Sequence, residues 1–110
     1  MTVEQIAKAL GYEILAGKMI SREIKSVYCC DLLSFVMGRA PADSAWVTVM
    51  GNVNAVAVAL LADVSCVVFA EGVKPDGAAI EKAGQNEIVL LGSPAPIFDT
   101  ARAIAEAAGL

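Results

Sequence analysis

Apolar and polar positions change period several times along the 110 residues, and each change marks an element. Val3, Ile6, Ala7 and Leu10 recur at helical spacing. Thr2 stands where an N-cap belongs, Gln5 follows three residues later as in a capping box, and Gly11 closes the helix. A short strand over 13–15 precedes a turn at Gly17, and residues 24–29 alternate well enough for a second strand. Asp31 is placed to cap a short helix through Leu32, Leu33, Val36 and Met37, stopped by Gly38. From there the pattern is regular. A strand over 45–50 leads through Gly51-Asn52 into a helix capped by Asn54. Residues 65–70 form an unbroken apolar run, the mark of a strand buried on both faces. Pro75-Asp76 opens a helix to Ala83, residues 87–91 form another strand, and Ser93-Pro94 leads into a last helix ending at Gly109. There Ile97, Ala101, Ile104, Ala105 and Ala108 make one face, with Asp99, Arg102 and Glu106 opposite.

Strands alternating with helices predict an α/β chain. The expected architecture is a three-layer α/β/α sandwich around a mostly parallel sheet, with mixed pairing allowed, of about four to six strands in one domain over 1–110. One helix departs from the usual pattern. Between Asn54 and Asp63 there is no polar residue, and a helix apolar all round is buried on more than one side. Two arrangements meet that need: a subunit interface, with Trp46 or Met50 nearby, or burial under the terminal helices.

Composition narrows the function. Apolar residues make up 57% of the chain with only 5% aromatic, so small aliphatic side chains dominate the packing. The net charge of −4 and the dispersal of Lys and Arg argue against nucleic-acid binding. The N-terminus lacks a basic segment followed by an apolar run. The longest apolar block, 55–62, falls short of the roughly 20 residues that span a bilayer, so no membrane role is expected and the protein is expected in the cytoplasm. Three cysteines suit a reducing compartment. There is no histidine, which removes Ser-His and Cys-His pairs and most zinc-enzyme sites; neither metal nor cofactor is expected.

Three groups of residues remain as candidates. Adjacent Cys29 and Cys30 point opposite ways in a strand and pair only through a strained ring, so they read chiefly as small structural residues. A minor alternative is a Cys30 thiol activated by the helix that follows. The carboxylates Asp31, Glu71 and Asp76 would act as acids or bases only if the fold brought them together. The loops after the strands are the third group, because ligands of open α/β sheets bind beyond the carboxyl ends of the strands. They hold Asp31, Gly51, Asn52, Asn54, Gly72, Lys74 and Ser93. Turn formation and capping by themselves account for the Gly and Asn residues among them and are the simpler reading. No GxGxxG or GxxxxGK[ST] phosphate loop is present.

In order and spacing, VEQIAKALGYEILAG, REI with YCCDLLSFVMG, AWVTVMGNVNAVAVALLADVSCVVFAEGVKP and IVLLGSP resemble the DRTGG domain family across nearly the whole chain. The name-giving motif falls around 21–27, where this chain has Ser21, Arg22, Lys25, Ser26 and Val27, so only Arg22 is kept. The Gly pair of the motif allows positive φ or close ligand approach, which Ser26 and Val27 do not. Such domains occur alone and within larger proteins, including pyrophosphatases that carry CBS domains, and stand-alone members accompany iron-only hydrogenases. The resemblance implies a non-catalytic regulatory or scaffold module, a homodimer that also binds a protein partner, with a link to hydrogenase or other anaerobic redox metabolism. The second expectation is an effector sensor for an adenine nucleotide or similar anion, bound by 51–54 and 71–74 with Arg22 as an anion contact.

Overall fold

The computed structural model describes residues 1–18 and 21–110 and realises the α/β sandwich. Its elements are α1 (Val3–Leu10), β1 (Glu13–Ala16), β2 (Ser26–Cys29), α2 (Leu33–Arg39), β3 (Ser44–Thr48), α3 (Val53–Ala62), β4 (Cys66–Phe69), α4 (Gly77–Gln85), β5 (Leu90–Gly92) and α5 (Ile97–Ala108). The five-stranded sheet has the order β1-β5-β4-β3-β2. Strands β2 to β5 are parallel, and β1 runs antiparallel along β5 with a register shift between Ile14 and Ala16.

This order fixes the layers. Going β2, β3, β4, β5, each step moves to the next strand in the same direction, and right-handed crossovers then lay α2, α3 and α4 on one face. The other face is left to α1 and α5. Side-chain alternation feeds the two cores separately. Trp46, Val67, Phe69 and Leu90 pack under α2, α3 and α4, whereas Ala45, Val47, Cys66, Val68 and Leu91 pack with Val3, Ile6 and Ile104 of α1 and α5. Every residue of β4 is buried, as the apolar run over 65–70 predicted, and so is every residue of β3.

Local signals at three helix ends are replaced by others. At α3 the cap is Asn52, whose Oδ1 accepts the Ala55 N–H at 3.0 Å; Asn54 already lies inside the helix. Asp31 does not cap α2. Its carboxylate crosses to β3, accepting from Thr48 Oγ1 at 2.6 Å and the Val49 N–H at 3.1 Å, and Leu32 holds the cap position without a side-chain bond. Gly38 does not stop α2 either. The helix ends one residue later, because Ala40 precedes Pro41 and is driven to extended geometry (φ −66°, ψ 124°). The predicted cap at Thr2 is present as a full capping box, and the helix expected to open at Pro75-Asp76 is capped by the Asp76 side chain.

The apolar helix α3 lies between α2 and α4, not beneath the terminal helices, which cover the opposite face. Trp46 is wholly buried under this layer and donates from Nε1 to the Cys30 carbonyl at 2.8 Å, so it takes no part in a surface. The outer side of α3 still carries Leu60 and Leu61, 46% and 71% exposed. Among the described residues no helix is long and apolar enough to cross a membrane.

Candidate functional site

Sheet topology places the site. A crevice opens at the carboxyl end of a parallel sheet where neighbouring strands send their connections to opposite faces. After β2, β3 and β4 the chain turns to the α2–α4 face, but after β5 it turns to α5 on the other. The switch point therefore lies between β4 and β5. A cavity of about 300 Å³ opens there, lined by Gly11, Glu13, Gly72, Val73, Lys74, Gly92, Ser93 and Pro94.

Three of the eight residues singled out from sequence meet in it: Gly72, Lys74 and Ser93. Glu71 and Gly72 both adopt positive φ (59° and 68°), and the turn is pinned to the β5–α5 loop by Glu71 N–H to Ala95 O (2.8 Å) and Gly72 N–H to Ser93 O (2.9 Å). Gly72 has no neighbouring atom within 4 Å of where a Cβ would stand, so the wall on that side is bare backbone. Lys74 reaches across to Glu13 of β1, Nζ to Oε2, at 2.6 Å. The Ser93 hydroxyl is already engaged: it lies 2.8 Å from Thr100 Oγ1 and accepts the Ala95 N–H at 3.3 Å. Tyr12 shares this corner. Burial pushes its phenol up, and the Ser93 and Thr100 hydroxyls pull the other way.

The other five lie elsewhere. Asp31, Gly51, Asn52 and Asn54 stand beyond the carboxyl ends of β2 and β3, where successive crossovers leave on the same side and open no crevice. The room beside Gly51 is taken by protein: a Cβ there would stand 3.2 Å from Lys74 O and Pro75 Cα. Asn52 is occupied as a cap. Arg22 is at the opposite, amino end of the sheet. It donates from Nε (2.9 Å) and Nη2 (2.7 Å) to Asp43 Oδ1, and from Nη2 to the Asp63 carbonyl (2.7 Å), with Asp63 Oδ1 at 3.0 Å. The Arg22 guanidinium holds the Asp43 carboxyl below the usual range; partial burial opposes it and Lys25 adds to it. Arg22 borders a cavity of about 230 Å³ with Asp63, Ser65, Asn86 and Glu87. Through Nε and Nη2 it clamps the two aspartate-bearing loops together, away from the switch-point cavity.

Sequence reasoning missed Gly11 and Glu13, since nothing local connects residue 13 to residue 74. Among the described residues no three His, Cys, Asp or Glu side chains come together as metal ligands. The cysteines are three free thiols. Burial, and then the Asp31 charge, raise the Cys29 thiol, while full burial pushes Cys66 up to about 12. Iodoacetamide at neutral pH is accordingly expected to leave Cys66 unmodified in the folded chain and to label it only in denaturant, as read by peptide mass spectrometry. Labelling of Cys66 without denaturant would contradict its placement in the core.

No protein-family model matches the chain, and no curated protein matches it. Among solved structures it is similar to the CBS and DRTGG domains of the regulatory region of Clostridium perfringens pyrophosphatase, determined in complex with the activator diadenosine tetraphosphate. The TM-score is 0.72 at 16% identity, over 94% of this chain and 45% of that one. The chain thus spans less than half the length of that structure, and what the two share is a DRTGG-like fold.

Proposed function

We propose that this chain is a regulatory module that binds a small anionic effector of the adenine-nucleotide class in the switch-point cavity and catalyses nothing itself. The observation that carries this is where the cavity lies: at the one place in the sheet where topology opens a crevice, with Lys74 at its wall. The likeness in fold to a regulatory region crystallised with an adenine-nucleotide activator supports the ligand class. A volume of about 300 Å³ is at the lower end for ligand sites and suits one nucleotide unit at most. The test is a thermal-shift series with AMP, ADP, ATP and diadenosine tetraphosphate at millimolar concentration. A ligand at a hundred times its Kd adds about 2.7 kcal/mol to the stability of the folded state. The expected result is a rise in Tm with at least one of the four; a flat series ends the proposal.

A second reading, homodimerisation through α3, is favoured by a separate observation. The outer side of this helix presents Val53, Ala57, Leu60 and Leu61 with Asn54 as its one polar residue, and the helix carries no charge. A chain of net charge −4 repels its own copy. A second copy meets no charge on this helix and buries Leu60 and Leu61 there. Wild-type protein is expected to run as a dimer at micromolar concentration in size exclusion with light scattering, and Leu61→Glu as a monomer with its fold intact by circular dichroism. A monomeric wild type, or a Leu61→Glu protein that stays dimeric, defeats this reading.

A further inference from the structure

We infer that Glu13 is a built-in competitor for the anion site: its carboxylate holds the Lys74 ammonium that a ligand phosphate needs, and an effector carrying a single phosphate takes that ammonium and loosens the start of β1. The inference rests on the effector-binding proposal and specifies how that site is selective and what its occupancy moves.

The geometry is simple. Glu13 and Lys74 both line the cavity and meet at 2.6 Å. Their side chains are 63% and 65% exposed, so the pair is held weakly against solvent and is exchangeable. Lys74 is the one cation among the residues lining the cavity, and the Ser93 hydroxyl is committed to Thr100 and Ala95. Any anion entering must therefore bind at Lys74. The charge present matches one compact anionic group. A triphosphate would set its further charges against Glu13 and against Glu71, which is exposed in the adjoining turn.

Glu13 also links the site to the sheet edge. It is the first residue of β1, paired with Gly92, and Gly92 lines the same cavity. At the far end of β1, Gly17 packs directly on the backbone of Ile88 and Val89. The strand is thus anchored after Ala16, whereas its first residue is tied by the Gly92 pairing and by an exchangeable ion pair. Exchange of Glu13 for a ligand phosphate removes the second of those ties.

The test uses titration calorimetry with AMP, ribose 5-phosphate, inorganic phosphate and ATP on the wild type, Glu13→Gln and Lys74→Gln. The two substitutions are expected to act in opposite directions. Glu13→Gln tightens AMP by about 2- to 5-fold, the range an exposed ion pair can withhold. Lys74→Gln weakens it by at least about tenfold. ATP binds the wild type no more tightly than AMP, and AMP shifts the amide resonances of Glu13 and Ile14 more than that of Ala16. Binding of ribose 5-phosphate or inorganic phosphate with the same opposed response still supports the exchange and assigns recognition to the phosphate. AMP affinity unchanged or reduced in Glu13→Gln overturns the inference. If AMP binds all three proteins alike, the competitor idea fails and effector binding stands at another place. If no ligand binds any of the three, both fall.

Discussion

Replacing Arg22 by alanine is expected to lower Tm by roughly 10 °C, corresponding to about 2 kcal/mol for a chain of this length. The Arg22 guanidinium ties three segments at the amino end of the sheet. It binds Asp43 before β3 and both the carbonyl and carboxylate of Asp63 at the end of α3. Both aspartates sit at positive φ (63° and 59°), a region their short polar side chains tolerate. Removing Arg22 strips the charge-assisted bonds that hold these turns. Arg22→Lys keeps the charge but not the fork, and is expected to recover only part of the loss.

The same clamp predicts an acid dependence. The Asp43 carboxyl titrates lower in the folded chain than in the unfolded one, chiefly through its hydrogen bonds from Arg22. A depressed folded value means that its contribution is complete above the unfolded carboxylate value of about 4. The contribution is then lost as pH falls from there through the folded value. Urea unfolding at pH 7, 4 and 3 should show wild type losing more stability over the lower step than Asp43→Asn, which has no proton to take up. Equal losses would mean that Asp43 is not clamped in solution. If Arg22→Ala left Tm within about 2 °C, the residue would be free for another role, and the assignment as a clamp would fail.

Gly17→Ala is expected to cost still more, about 3 kcal/mol, from steric overlap and backbone strain together. Gly17 has φ +92°, and an added Cβ would stand 2.5 Å from Ile88 O and 2.7 Å from Val89 Cα. Both neighbours are backbone and cannot rotate away. The substitution would push β1 from β5 at the anchored end of the strand that carries Glu13. Denaturant unfolding should show a lower midpoint with an unchanged slope. Gly38→Ala is the matched control of opposite sign. It lies within α2 with nothing within 4 Å of a Cβ, so alanine there should stabilise by about 0.5–1 kcal/mol. A Gly17→Ala protein as stable as wild type would mean that the close approach to Ile88 is not kept in solution.

Much of the fold was legible in the pattern of side chains. The helical stripe of Val3, Ile6 and Ala7, the capping box at Thr2, the Asp76 cap and the unbroken apolar strands are short-range features, and periodicity reports them directly. At the helix ends a stronger constraint, nearby in the chain or across the sheet, displaced the expected one. Asn52 rather than Asn54 is the cap because the helix already begins at Val53, which puts Asn54 within its first turn. Asp31 found Thr48 across the sheet, and Pro41 rather than Gly38 set the end of α2.

The sequence by itself determined an α/β chain with parallel central strands, an apolar helix that no solvated face relieves, and loops of Gly, Asn and Lys after the strands. Only the tertiary structure decided which of those loops make a site. Strand order is set by long-range packing and pairing, which leave no local periodicity, and it alone puts the switch point between β4 and β5. That order gathers Gly72, Lys74 and Ser93, brings in Glu13 from 61 residues away, and leaves Asp31, Gly51, Asn52 and Asn54 outside the cavity. It also sends Arg22 to the opposite end of the strands, where its guanidinium bridges the turns at Asp43 and Asp63.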